Sequence, residues 1–216
     1  MKLLHDLFGP SREEIWRQVA AAVGGRLIAG RFWTGGGKVE AVHGPWIVTL
    51  DTYTVSTGES SITYTRMRAP YLNPDGFRFT IYRRSSFSNF GKWLGMQDVT
   101  VGDPQFDEDF IIQGNDEARL RRLFADARLR QLISAQPTIR FCVKEDKTSF
   151  WGRRNFPPNV DELYFQVTGV IKDVARLKRL FDLFAETLDE LCRMGAAYEK
   201  NPRVSADRQR SLACNV

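Results

Sequence analysis

Histidine is nearly missing from this chain: there are two in 216 residues, His5 and His43. A Ser–His–Asp or Cys–His centre would have to be built on His43, which sits in a His43-Gly44-Pro45 turn. No Gly-x-Ser-x-Gly elbow is present to raise a nucleophile, so a structural turn histidine is the simpler reading. Cysteine is scarce too. Cys142, Cys192 and Cys214 are an odd number without metal-site spacing. They predict neither a disulfide framework nor a zinc site in a protein of this composition. Nothing in the sequence links Cys142 to His43, and Cys214 lies one place short of the position that prenylation needs. No apolar run approaches the roughly 20 residues of a membrane-spanning helix. The opening Met1-Lys2-Leu3-Leu4-His5-Asp6-Leu7-Phe8 is too short and too charged for a signal peptide. A cytoplasmic protein without cofactor or resident metal is expected. Gly35-Gly36-Gly37-Lys38 lacks the spacing and the following helix of a phosphate loop.

Charge of one sign is also in short supply. The formal net charge is +5 and the pI about 9.2, but the excess is scattered. Arg83-Arg84, Arg153-Arg154 and the tail hold only small clusters, which suits a solvated surface better than a nucleic-acid stripe.

What is present is a phrase used twice. Residues 118–124 read Ala-Arg-Leu-Arg-Arg-Leu-Phe and residues 175–181 read Ala-Arg-Leu-Lys-Arg-Leu-Phe. Each follows a strand-like run, 106–112 and 163–167. A Gly and an Asp lie between strand and helix both times, at Gly114 and Asp116, then at Gly169 and Asp173. Two strand-to-helix units are expected. Amphipathic helices commonly use Leu, Phe, Ala and Arg at this spacing, so shared constraint is weighed above a true duplication.

Local signals place the other elements. Ser11 and Glu14 form a capping box ahead of a stripe of Ile15, Val19 and Val23, flanked by Trp16 and Ala22, and Gly24-Gly25 ends that helix. Residues 26–84 read as antiparallel strands, with runs at 38–42, 46–55, 62–71 and 77–82. Asn73-Pro74-Asp75-Gly76 is a turn. Alternation along these runs predicts one face on a core and one polar face, to which Thr49, Thr63, Thr65 and Thr80 are assigned. A strand is expected over 106–113, a helix from Asn115 or Asp116 that restarts at Asp126, and paired strands over 138–145 and 162–171. Val174, Leu177, Phe181, Phe184, Leu188 and Leu191 predict a final helix lying across a sheet. Residues 199–216 are read as a mobile tail. The expected fold is α+β: a largely antiparallel sheet, or two sheets, covered by three main helices. It forms one domain over 1–198 with a candidate subdivision near 104.

Two loops carry the candidate recognition residues. Phe87, Phe90 and Trp93 lie within 85–105. Phe150, Trp151, Arg153, Arg154 and Phe156 lie in the long connection 146–160. Rings beside guanidinium groups are what partner hot spots use, and also what single-strand binders use for stacking. For each ring the alternative is folding back over the core. The carboxylates Asp98, Asp103, Asp107, Glu108 and Asp109 are dense enough to suggest a hard cation, against the commoner role of a solvated strand entry.

The run Phe106-Asp107-Glu108-Asp109-Phe110-Ile111-Ile112-Gln113-Gly114-Asn115-Asp116, followed by Leu123 and Leu132, resembles bacterial conserved domains of unknown function. These carry a similar Phe-Asp…Phe strand, a Gly-Asn-Asp cap and a Leu-rich helix. The resemblance extends over the C-terminal half, including 162–191. It implies a bacterial origin and no activity. The expected function is that of a non-enzymatic binding or interaction protein that meets a protein partner through its aromatic and basic loops. The alternatives are a small enzyme acting through a carboxylate or metal site near Asp98–Asp109, and a nucleic-acid or anionic-surface binder.

Overall fold

The computed structural model describes residues 10–30, 37–56, 58–85, 98–145 and 156–202. Eight strands form one sheet: β1 (Arg26–Ile28), β2 (Lys38–His43), β3 (Trp46–Ser56), β4 (Ser61–Leu72), β5 (Phe79–Arg83), β6 (Phe110–Gly114), β7 (Arg140–Lys144) and β8 (Val160–Thr168). Their order is β1-β2-β3-β4-β8-β7-β5-β6, and every pairing is antiparallel.

Register turns the alternation of each strand into rows that cross the whole sheet. Leu27, Val39, Leu50, Met67, Phe165, Phe141, Ile81 and Ile112 stand side by side, one per strand. All eight are apolar and all but Leu27 are buried. Directly opposed residues share a face, so this row defines the core face. At roughly 1.5–3 kcal/mol for each fully buried large apolar side chain, the row is a main source of the stability that holds the sheet together.

Five helices are present among the described residues, rather than the three expected: α1 (Arg12–Ala22), α2 (Pro104–Asp109), α3 (Glu117–Leu123), α4 (Ala127–Ser134) and α5 (Val174–Arg193). All lie on the core face. Arg12 of α1 donates to Thr52 Oγ1 at 2.8 Å, and Thr52 belongs to that face by alternation from Leu50. Phe124, just after α3, meets Phe79 of β5 edge-on at 5.7 Å and Phe106 of α2 at 6.2 Å. Phe184 of α5 packs on Phe141 of β7 at 5.4 Å. α4 packs on α5. The final helix therefore lies across the sheet, with Leu177, Phe181, Phe184, Leu188 and Leu191 buried.

The repeated phrase has one register in both copies. Asp116 accepts from the Arg119 N–H at 3.0 Å, and Asp173 from the Arg176 N–H at 2.9 Å. Each Asp thus satisfies an otherwise free helix N–H. Leu120 and Leu177, Leu123 and Leu180, and Phe124 and Phe181 are all buried. The two glycines serve different needs. Gly114 is required by close approach: a Cβ there would sit 2.5 Å from the Arg78 carbonyl oxygen. Gly169 adopts φ +89. The strands also differ in place, β6 at an edge and β8 near the centre.

Several expectations are corrected. Residues 104–109 are helical, so the strand begins at Phe110 and not at 106. Asp103 caps that helix by accepting from the Phe106 N–H, and Pro104 fits its first turn because it has no N–H to leave unpaired. In α1 the buried alanine is Ala20, and Ala22 is exposed. Thr63 and Thr65 lie on the core face; Thr65 donates to the Gly169 carbonyl at 2.7 Å. The expected turn at 73–76 joins two strands that do not pair with each other. β4 leaves it to pair with β8, and β5 pairs with β7 and β6. The sheet runs without a break through strands from both sides of residue 104.

Candidate functional site

The row next to the apolar one points the other way. It reads Arg26, Glu40, Thr49, Arg68, Tyr164, Cys142, Thr80 and Gln113, again one residue per strand. Every member carries a polar group. Gln113 extends the row by donating to Asp98 at 2.9 Å. Flanking positions on the same face add Lys38, Asp51, Arg66, Tyr53, Tyr64, Gln166, Glu162, Lys144, Arg140 and Tyr82. None of the five helices covers this face.

At its centre one carboxylate answers two guanidinium groups. Asp51 accepts from Arg66 Nε and Nη2, both at 2.8 Å, and from Arg68 Nη2 at 2.5 Å. Burial alone would raise the Asp51 carboxyl. The hydrogen bonds and charges of Arg66 and Arg68 outweigh that and hold it below its usual range. Burial likewise opposes the charge of Arg66, and Asp51 more than restores it. The Arg66 guanidinium also lies 4.7 Å over the Tyr53 ring, a cation–π contact, and Tyr53 stacks on Tyr64 at 5.2 Å. Tyr53 and Tyr164 both donate to Gln166 Oε1 at 2.7 Å. Lys144 sits 4.8 Å over the Tyr164 ring. Glu40 is neutralised by Arg26 at 3.0 Å and Lys38 at 2.9 Å.

Two members of the polar row are not satisfied. Arg68 is 4% exposed and Thr49 1%. Arg68 Nε and Nη1 and Thr49 Oγ1 are buried without a hydrogen-bond partner among the described residues. Thr49 and Arg68 are directly opposed across β3 and β4. Buried polar groups are paired in most proteins, and leaving one unpaired costs roughly 1–3 kcal/mol, more for a charge.

The residues singled out by sequence are placed differently. Phe87, Phe90, Trp93, Phe150, Trp151, Arg153 and Arg154 lie outside the described residues. Phe156 is buried. Arg83 turns to the core face, where it donates to the Ser134 and Gln136 carbonyls, each at 3.1 Å. Arg84 donates to the carbonyls of Asp107 and Glu108. The acidic run is divided among separate tasks. Asp103 caps α2 and pairs with Arg130 at 3.0 Å. Asp107 accepts from the N–H groups of Val101 and Gly102, and Asp109 faces Arg83 at 3.5 Å. No group of three His, Cys, Asp or Glu side chains converges as a metal site among the described residues. His43 reaches α5, where its Nε2 meets Asp189 Oδ1 at 2.9 Å, and it stacks on Trp46 at 6.1 Å; that joins a strand to a helix. No helix among the described residues is long and apolar enough to cross a membrane.

Sequence reading missed Arg68, Asp51 and Arg66 as a group. The local signal was only alternation of polar side chains in β3 and β4, which any solvated sheet face shows. No family model, curated protein or solved structure matches the chain.

Proposed function

We propose that this protein is a non-enzymatic binding protein and that its ligand surface is the helix-free face of the sheet. The observation that carries the reading is the polar row from Arg26 to Gln113, with Arg68 and Thr49 buried and unsatisfied at its centre. A face kept only for solvation has no need to bury an arginine beside a second arginine that shares its carboxylate. Recognition sites commonly combine apolar walls with a few fixed polar groups, and Tyr53, Tyr64 and Tyr164 supply the walls. The division of Asp98, Asp103, Asp107 and Asp109 among a side-chain hydrogen bond, a helix cap, loop N–H groups and ion pairs supports binding over carboxylate or metal chemistry.

The connection between β7 and β8 belongs to the same proposal. Its sequence offers Phe150, Trp151, Arg153 and Arg154, and its length exceeds what a hairpin needs. These residues are assigned to contact with a protein partner. Trp151→Ala should then abolish partner capture at any moderate salt, whereas dependence on Arg153 and Arg154 with steep loss in salt would mark a nucleic acid.

The direct test is chemical-shift mapping with a panel of small acids, phosphates and neutral amides. Perturbations gathered on Thr49, Arg68, Tyr164, Cys142 and Thr80 are expected. Saturable binding that perturbs only the helix side of the molecule, or no response to any class, contradicts the proposal.

A further inference from the structure

An edge strand presents a row of open N–H and C=O groups, and proteins blunt such edges by brevity, charge, proline or cover. Most edges of this sheet are blunted. β1 has only three residues. β6 is met from outside by Val99, whose N–H donates to the Ile112 carbonyl at 2.8 Å, and by the Asp98–Gln113 bridge. Beyond Thr65, β4 is met by Gly169, whose N–H donates to the Thr63 carbonyl at 2.7 Å. β3 is the exception. Its pairing with β2 ends at Leu50, while its pairing with β4 continues to Ser56. Among the described residues no strand lies on the outer side of Thr52–Ser56. That stretch is rich in Thr, Tyr and Val, which favour strands, and holds no charge and no proline. Thr54 and Ser56 are exposed.

The hairpin fixes which backbone groups point outward. β2 and β3 are joined by the two-residue turn Gly44-Pro45, with His43 opposite Trp46. The residues flanking such a turn exchange both backbone bonds, and the direction alternates along the strand. Trp46, Val48 and Leu50 therefore bond towards β2. Thr52, Thr54 and Ser56 aim their N–H and C=O groups to the same side, away from β4. These three are symmetric about Thr54.

We propose that this edge pairs with the same edge of a second copy of the chain, antiparallel, with Thr54 opposite Thr54. Self-complementarity selects the occupant. A two-fold contact needs one patch that fits itself. Centred on Thr54, the register sets Tyr53 opposite Val55 of the second copy, and Thr52 opposite its Ser56. Within one copy Val55 already opposes Ile62, and Tyr53 opposes Tyr64, stacked at 5.2 Å. The helix-free face then carries one row across the join: Ile62 and Val55, followed by Tyr53 and Tyr64 of the second copy. The row places an aromatic ring beside half-buried Val55, itself next to Ile62, which is 41% exposed in one copy. On the other face hydroxyl side chains oppose each other, a favourable cross-strand pairing. The contact joins edges and leaves both faces of the sheet open, so it stands or falls separately from the ligand surface.

The test measures the mass of the whole chain by light scattering over a range of concentrations, and amide hydrogen exchange at both ends of that range. The mass should rise towards twice that of one chain. The amides of Thr52, Thr54 and Ser56 should exchange freely when dilute and become protected when concentrated, whereas those of Tyr53 and Val55, bonded to β4, stay protected throughout. Thr54→Pro removes one outward N–H without touching the β4 ladder, a position where edge strands accept proline. Checked for unaltered circular dichroism, it should stay monomeric at the concentration where the wild type is dimeric. A monomer at every concentration overturns the proposal. So does a dimer in which the three outward amides still exchange freely, or one that Thr54→Pro leaves intact. The wild-type amide pattern decides the matter even if the proline variant does not fold.

Discussion

Asp51 does with one carboxylate what two would ordinarily do. It receives a side-on pair from Arg66 and a further bond from Arg68, and its pKa lies below 3.8 when folded. A group whose folded pKa is depressed stabilises the protein above its unfolded pKa and loses that contribution as pH falls through the folded value. Removing the carboxylate takes from two guanidinium groups the partner they share, and loss of one partner of a buried pair costs about 3–5 kcal/mol. Asp51→Asn should therefore show a deficit of that order in urea unfolding at pH 7. The gap to the wild type should close as pH drops below 3.8. A gap that is the same at pH 7 and pH 3 would contradict the assignment. On the core face, Phe184 is fully buried and touches Phe141. Phe184→Ala should cost about 3–5 kcal/mol, through lost burial and the cavity left behind; a wild-type midpoint and slope in the same assay would refute the packing.

At the scale of elements, caps were the best-written part of the sequence. Ser11 with Glu14, Asp116, Asp126 and Asp173 each start a helix where local spacing placed them, because a cap needs only the next three residues. Asp116→Ala and Asp173→Ala should each lower stability by about 1 kcal/mol. An effect in one and none in the other would show that the two copies of the phrase do not share a register. The segment 104–109 was misread for an instructive reason. Phe106 and Phe110 would share one strand face and Asp107 and Asp109 the other, yet Asp103-Pro104 is itself a helix-start signal, and it prevailed. The final helix was legible from its stripe alone. Its seam is wide enough to cover several strands, which is why the stripe continues through Leu180 and Leu183.

In the whole molecule, what local sequence could not reveal was strand order. β4 pairs with β8 across about a hundred intervening residues, Thr65 opposite Val167, and the turn at 73–76 gives no hint of it. The polar row depends on that pairing. Thr49, Arg68, Tyr164, Cys142 and Thr80 are unremarkable in their own strands and become a group only in register. The same pairing ties both halves of the chain into one sheet. Unfolding should accordingly follow one cooperative transition, with tryptophan fluorescence, to which buried Trp16 and Trp46 contribute, and far-ultraviolet circular dichroism giving coincident curves. Two separated transitions would divide the chain near residue 104 instead.

The central claim is that Arg68 is buried for a ligand and not for the fold. The most direct measurement is the unfolding free energy of Arg68→Met without added ligand. Asp51 keeps its two bonds from Arg66 in that variant, so the uncompensated charge that makes loss of one partner of a buried pair costly does not arise. The account predicts a stability within about 1 kcal/mol of the wild type, or above it. A loss of about 3–5 kcal/mol, the cost of breaking a needed buried pair, would show that Arg68 serves the fold and would contradict the account.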